Sequence, residues 1–267
     1  MSEAVERLAP ADQTWSRMRV EAATAAAQEP ILASFLNATV LNHETFPAAL
    51  SYRLAQKLGD TDMNAMSLRE ACDKAYASDP EMPDAALADI LAVFDRDPAC
   101  RGYLQPFLYF KGYLALQGYR VAHHLWNTGR TTLALYLQSR ISELFSVDIH
   151  PAATIGKGVF IDHATGIVIG ETTVVGDDVS LMQDVTLGGT GNENGDRHPK
   201  IARGVLIGAG ARVLGNIEIG AGARIAAGSV VLKPVPAKCT VAGVPAKPVG
   251  GPCCDNPALS MDQQIDV

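Results

Sequence analysis

Two short polar segments interrupt an otherwise regular apolar pattern in the second half of this chain, and they hold residue types able to move a proton and grip an anion. His163 lies in Ile161-Asp162-His163-Ala164-Thr165-Gly166. A neutral imidazole near pH 7 can take a proton from a hydroxyl and return it later. It reads equally well as a surface histidine satisfied by solvent. Asp148, in Val147-Asp148-Ile149-His150, comes fifteen residues earlier. That is a little less than the eighteen residues of one coil of the repeat, so its carboxylate could reach the imidazole from the neighbouring coil and fix its tautomer. Taken alone, Asp148 reads better as a cap where the helical half meets the repeat. Arg197 and His198 close the second segment, where a guanidinium fork suits a carboxylate and a solvated loop arginine is the alternative. Asp162 is either a ligand for an ammonium or a turn aspartate. For Asp97, in Arg96-Asp97-Pro98, the turn or cap reading dominates, and Glu171 reads as a solvated charge. His150, His163 and His198 are potential zinc ligands, but their separations of 13 and 35 residues match neither each other nor the coil, so no metal site is assigned.

The element that positions these residues is a hexapeptide repeat. After Val147 an Ile, Val or Leu returns every sixth residue. One run is Ile149, Ile155, Ile161, Ile167, and a second is Ile169, Val175, Leu181, Leu187. The third is Ile201, Ile207, Val213, Ile219, Ile225, Val231. Each hexapeptide supplies one short strand and its turn, three make a coil, and the coils bury their anchors by stacking. Small or β-branched residues four positions after each anchor, among them Ala153, Val159, Thr165 and Ala211, are predicted to fill the corners. Gly156, Gly170, Gly176, Gly208 and Gly220 follow anchors directly, where corners are predicted to need φ angles that side chains resist. Stacked coils need constant length, so excess residues must leave the wall. The excess falls at a two-residue slip from Ile167 to Ile169 and at a gap between Leu187 and Ile201.

From about residue 10 to 146 apolar residues recur at three- and four-residue spacings, as in Leu104, Leu108, Lys111, Leu114, Leu116, Tyr119. About six helices are predicted, with breaks at Gln28-Glu29-Pro30, Leu58-Gly59-Asp60, Ser78-Asp79-Pro80, Asp97-Pro98 and Thr128-Gly129. Gly102, Gly112 and Gly118 are read as ordinary residues of a buried helical segment. Proline and glycine thicken from Lys233 to Pro252 as a cap, and a flexible tail is predicted after it.

Composition bounds the class of function. The chain is 48% hydrophobic and 19% charged, and no apolar run approaches the roughly 18 residues of a membrane span. No membrane association is expected. The opening Met1–Gln13 stretch lacks the apolar core of a secretory signal, which predicts a cytoplasmic protein. Five cysteines without ligand spacing read as reduced thiols. A net charge of −7 and the absence of any Lys/Arg run speak against nucleic acid and for small molecules or another protein.

The strings Asp148-Ile149-His150-Pro151, Asp162-His163-Ala164-Thr165-Gly166, Gly188-Gly189-Thr190-Gly191 and Asp196-Arg197-His198-Pro199-Lys200 resemble the serine O-acetyltransferase family. The likeness runs from about Asp97, through Tyr109-Phe110-Lys111-Gly112 and Tyr119-Arg120, to Ala242-Gly243-Val244-Pro245-Ala246, over more than half the chain. The 162–166 and 188–200 segments are far more specific than the repeat itself, which many acyltransferases share. The resemblance implies an α+β fold: an α-helical oligomerisation domain at 1–146 contributing to the serine site, and a left-handed parallel β-helix at 147–250 with one projecting loop, 188–200. A flexible C-terminal tail spans 251–267. It implies acetyl transfer from acetyl-CoA, a co-substrate with no permanently bound cofactor, to the hydroxyl of L-serine in the first step of cysteine biosynthesis. His163 is implied as general base and Asp148 as its orienting partner. Asp97, Asp162, Arg197 and His198 are implied to hold the amino acid, while Gly189, Ala209 and Ala227 lie along the pantetheine arm of CoA. Sites between subunits of a trimer, a homo-hexamer made of two trimers, and inhibition by L-cysteine are implied as well. Family members that assemble with O-acetylserine sulfhydrylase usually end in isoleucine, whereas this chain ends Gln264-Ile265-Asp266-Val267. A weaker complex through the tail is the expectation.

Overall fold

The computed structural model of the protein describes residues 11–191, 194–250 and 256–263. Helices α1 (Ala11–Gln28), α2 (Ala33–Leu36), α3 (Phe46–Leu58), α4 (Ala65–Ser78), α5 (Glu81–Arg96), α6 (Leu104–Tyr109), α7 (Lys111–Asn127) and α8 (Thr131–Phe145) form the first half. All five predicted breaks end a helix. Asn64 caps α4 by accepting from Ser67 N at 3.0 Å, and Glu81 and Asp84 sit in the first turn of α5, where the helix dipole favours negative charge. Two breaks were not predicted: one at residues 42–45, before α3, and the other at Phe110. Phe110 takes an extended conformation (φ −84, ψ 113) and separates α6 from α7, although the apolar spacing runs through it. Tertiary packing, not a Gly or Pro signal, sets that boundary.

The second half is a parallel β-helix whose three faces are short-stranded sheets. Face A stacks Val147–Ile149, Ile167–Ile169, Thr186–Gly188, Arg212–Leu214 and Val230–Val231. Face B stacks Thr154–Ile155, Val174–Val175, Lys200–Ile201 and Glu218–Ile219. Face C stacks Phe160–Ile161, Ser180–Leu181, Leu206–Ile207, Arg224–Ile225 and Thr240–Ala242, with Lys247–Pro248 added antiparallel. Every anchor of the repeat is buried.

Two sequence expectations need correction. The glycines just after anchors are not the positive-φ residues; those come two positions later, as at Gly210 (φ 72) and Asp184 (φ 58). A Cβ on Gly176 would instead lie 2.8 Å from Arg203 N, and one on Gly208 2.6 Å from Ala227 N. Glycine is there because the next coil passes too close for a side chain. The slip is also misplaced by the pattern. Ile167 pairs with Val147 and points inward, so the two extra residues lie in the corner before it, and Thr165 is exposed instead of filling that corner.

The helical half is pinned to the first coils by buried polar groups. Asp89, fully buried, accepts from Arg120 Nη2 at 2.7 Å and Nε at 3.1 Å, from Gln117 at 2.9 Å and from Val159 N at 2.9 Å. Arg120 continues to Gly156 O at 2.7 Å, and Tyr119 donates to Ala153 O. Arg96 reaches Ser180 Oγ at 3.1 Å. Gly112, read from sequence as ordinary, is required: a Cβ there would run into the carbonyl oxygen of Ile161.

The expected flexible tail is partly docked. A short helix α9 (Pro257–Ser260) buries Ala258, whose carbonyl accepts from Ser180 Oγ at 2.9 Å, and Arg224 donates to Asp262 O at 2.9 Å. Among the described residues, no helix is long and apolar enough to cross a membrane.

Candidate active site

His163 stands on the corner between faces C and A, the one lengthened by two residues. His163 and Ala164 both adopt left-handed backbone (φ 54 and 60), which the corner enforces through Ile167 N to Ala164 O at 3.1 Å and Asp184 N to Thr165 O at 2.8 Å. From the helical half, Lys111 donates to Thr165 Oγ1. The His163 side chain is 73% exposed and is therefore open to a ligand. Its Nε2 lies 3.7 Å from Asp162 Oδ2. Burial raises the Asp162 carboxyl above the usual aspartate range; the His163 ring opposes the rise, and the Asp97 charge adds to it. Asp97 is indeed the C-cap of α5, with Oδ1 accepting from Ala99 N at 2.8 Å, yet its field reaches Asp162. The cap therefore also acts on the carboxylate beside His163.

Asp148 lies on the coil next to the one His163 leads into, as its spacing predicts, but its carboxylate is engaged elsewhere. It projects from the edge strand of face A beside Val168 and accepts from Gln138 Nε2 of α8 at 2.7 Å. No hydrogen bond joins it to His163. The carboxylate nearest the imidazole is Asp162.

Arg197 and His198 lie across face A, on the corner between faces A and B. Arg197 Nη2 donates to Glu171 Oε2 at 2.8 Å, and this contact holds the Glu171 carboxyl below the usual range. Glu171 is therefore paired, not simply solvated. His198 is buried, and Thr172 contacts both it and the Arg197 backbone. Lys200 ties the returning loop down through Thr172 O at 2.8 Å and Asp196 Oδ1 at 2.5 Å. His150 sits on this same corner, its ring 5.1 Å from that of Trp126. Thr172 and Lys200 carried no sequence signal beyond their places next to Glu171 and in the loop. His163 is on a different corner from His150 and His198, and among the described residues no three His, Cys, Asp or Glu side chains converge as metal ligands.

The chain thus divides the predicted residues between two edges of one face. On the His163 edge, Gly210 N donates to Gln183 O at 2.9 Å and Gly228 N to Ala209 O at 2.7 Å, which stacks Gln183, Ala209 and Ala227 in file beyond Thr165. A cavity of about 270 Å³ opens at the far end, lined by Leu206, Arg224, Ala226, Ala227 and Gln263. Gly189 lies on the other edge, near Arg197. An exposed imidazole on an edge that continues through Ala209 and Ala227 can serve as a base toward an extended ligand lying along that edge.

A family model described as serine acetyltransferase, N-terminal, matches residues 14–118, and one described as bacterial transferase hexapeptide (six repeats) matches residues 198–233. The serine acetyltransferase of Escherichia coli (strain K12) is 58% identical over 252 residues, spanning 94% of this chain and 92% of that protein. A solved serine acetyltransferase in complex with cysteine matches with TM-score 0.95 and 54% identity, over 96% of this chain and 100% of the other. The serine acetyltransferase of Brucella abortus strain S19 in complex with coenzyme A matches with TM-score 0.89 and 51% identity, over 92% of this chain and 100% of the other.

Proposed function

The chain belongs to the serine acetyltransferase family, a transferase using acetyl-CoA as co-substrate, and we propose that His163 is the general base of direct acetyl transfer to the hydroxyl of L-serine. His163 takes the hydroxyl proton as the serine oxygen attacks the thioester carbonyl. The tetrahedral intermediate collapses with cleavage of the C–S bond, and the imidazolium gives its proton to the departing thiolate, releasing O-acetylserine and CoA. No enzyme nucleophile is needed. Positioning two substrates is worth roughly 7 kcal/mol or more of barrier, so the edge contributes as much as the base.

The observation that carries this reading is the file Thr165, Gln183, Ala209, Ala227 on the corner that also bears the exposed His163. A pantetheine arm laid on Ala209 and Ala227 brings its thioester to the exposed imidazole. Gly189 approaches the arm from the other edge. In this reading Arg197 and His198 hold the carboxylate of serine, Asp97 and Asp162 its ammonium, and Asp148 orients His163 after leaving Gln138. Hexapeptide-repeat transferases form trimers or hexamers. Packing one copy's His163 edge against the next copy's Arg197 edge joins the two groups, and pairing of two trimers through the helical half gives a hexamer.

L-cysteine shares the amino and carboxylate groups of serine and is proposed to compete for the same contacts, a reading supported by the related enzyme solved with cysteine. Unchanged activity with added cysteine would remove it. The tail ending in Val267, which lies outside the described residues, is proposed to bind O-acetylserine sulfhydrylase, with a pull-down that shows tail-independent or no association as the contrary result.

The deciding experiment is acetyl-CoA consumption across a panel of amino acids and sugars, run with the native chain and His163→Ala. Turnover that depends on serine and falls roughly 100-fold or more in the variant is expected. Thiol release that survives the change intact would end the assignment of His163.

A further inference from the structure

We propose that Thr172 is a positioning residue of the amino-acid site, holding the His198 imidazole as the neutral tautomer with its proton on Nε2 and fixing the Arg197–His198 peptide against the wall. The proposal rests on the reading that this pair holds the substrate carboxylate.

The hydrogen-bond inventory leads to it. Thr172 Oγ1 accepts from Arg197 N at 3.0 Å and from His198 N at 3.1 Å. With both acceptor positions filled, the hydroxyl has its own proton left to donate, and His198 Nδ1 is 2.9 Å away. The backbone N–H of Thr172 points at the same nitrogen, at 3.1 Å. The Asp196 carboxylate also draws on that hydroxyl, but the Thr172 N–H by itself requires Nδ1 to present its lone pair, which leaves the ring proton on Nε2. Nε2 has no hydrogen-bond partner among the described residues, so its N–H is the group left for a ligand. The ring lies over Gly170, where any Cβ would occupy its space. Thr172 also accepts from Lys200 Nζ through its carbonyl at 2.8 Å, so one residue ties down both ends of the loop's return.

The charges facing the ring agree with a neutral imidazole. Burial holds His198 below the usual histidine range, Arg197, Lys200 and His150 act in the same direction, and Glu171 alone opposes them. The Glu171 carboxylate is already taken by Arg197. An imidazolium would place an N–H at Nδ1 against the Thr172 N–H, so protonation requires the loop's return to let go.

The test uses the full-length enzyme with Thr172→Val, Thr172→Ser and Arg197→Ala, and ring-nitrogen NMR of His198 in the wild type. Thr172→Val is expected to raise the KM for serine by roughly tenfold, the scale of one lost hydrogen bond, with the KM for acetyl-CoA unchanged. The His198 ring should titrate at higher pH in that variant, because a donor to its lone pair is lost, and Thr172→Ser should restore both the KM and the titration. A Thr172→Val enzyme with wild-type serine KM, beside an Arg197→Ala enzyme whose serine KM rises, would overturn the proposal. If Arg197→Ala also leaves the serine KM unchanged, the carboxylate reading fails, and the proposal built on it fails with it. The wild-type spectrum needs no variant to fold: a proton found on Nδ1 overturns the assignment of Thr172 by itself.

Discussion

Gln138 Nε2 donates to Asp148 Oδ1 at 2.7 Å, so the carboxylate proposed to orient His163 is held by helix α8. If Asp148 serves the imidazole during turnover, Gln138 competes with that role. Gln138→Leu is then expected to leave kcat unchanged or higher, whereas Asp148→Ala lowers kcat tenfold or more, as loss of an orienting carboxylate does. Steady-state kinetics of the two variants check this. Wild-type kcat in Asp148→Ala would transfer the orienting role to Asp162, whose Oδ2 is 3.7 Å from Nε2 of His163.

The field of Asp97 on Asp162 has a pH consequence. Burial first, and then Asp97, raise the Asp162 carboxyl, with His163 opposing, so it stays protonated to higher pH than a free aspartate. An ammonium ligand must be ionised, so affinity for serine rises with pH through that raised value. Asp97→Asn removes a negative charge, lowers the Asp162 pKa and moves the rise to lower pH, while weakening the affinity reached above it. Calorimetric titration of serine at several pH values, without acetyl-CoA, reads both effects. A rise that stays in place in Asp97→Asn would show that the two carboxylates act independently.

The Asp89–Arg120 pair predicts a stability effect far from the chemistry. Asp89 is fully buried, and Arg120 is 9% exposed. Asp89→Ala leaves a buried guanidinium, Gln117 and the Val159 amide without their acceptor. The expected loss is about 3–5 kcal/mol, since breaking a buried pair strands the remaining charge. Urea unfolding at fixed protein concentration measures it. A loss below about 1 kcal/mol would mean that water replaces the carboxylate at this interface.

Much of the architecture was legible because a solenoid writes its contacts at a fixed short period. The anchors from Ile149 to Val231 are all buried, and the five helix ends marked by Gly, Pro or Asp fall where those residues predict. Long-range contacts were not legible. Ser180 meets Ala258 across 78 residues and Asp89 meets Val159 across 70, and neither pair shares a local pattern. The same limit applies to the site. Spacing brought Asp148 within one coil of His163, but it could not register that Gln138, from a helix, takes the carboxylate first. The glycines were found for the wrong reason: a period shows that small residues recur, not whether backbone angle or the coil above demands them.

Gly112 links the helical half to the catalytic corner and provides the last prediction. A Cβ there would overlap the carbonyl oxygen of Ile161 and come within 3.3 Å of the Ala164 Cβ, with no flexible side-chain end to move aside. In Gly112→Ala, helix α7 must withdraw from the strand that leads into Asp162 and His163, taking the Lys111 contact to Thr165 with it. Overpacking of this kind costs about 1–3 kcal/mol of stability. A shift of the base by about 1 Å can cost roughly 100-fold in rate, so kcat is expected to fall between about tenfold and that limit, with the KM for acetyl-CoA little changed. Ala115→Gly, in the same helix, separates the two effects: it should lose about 1 kcal/mol through helix propensity and keep its kcat. If Gly112→Ala loses stability yet turns over at the wild-type rate, the corner absorbs the displacement without moving His163, and the helical half does not position the base.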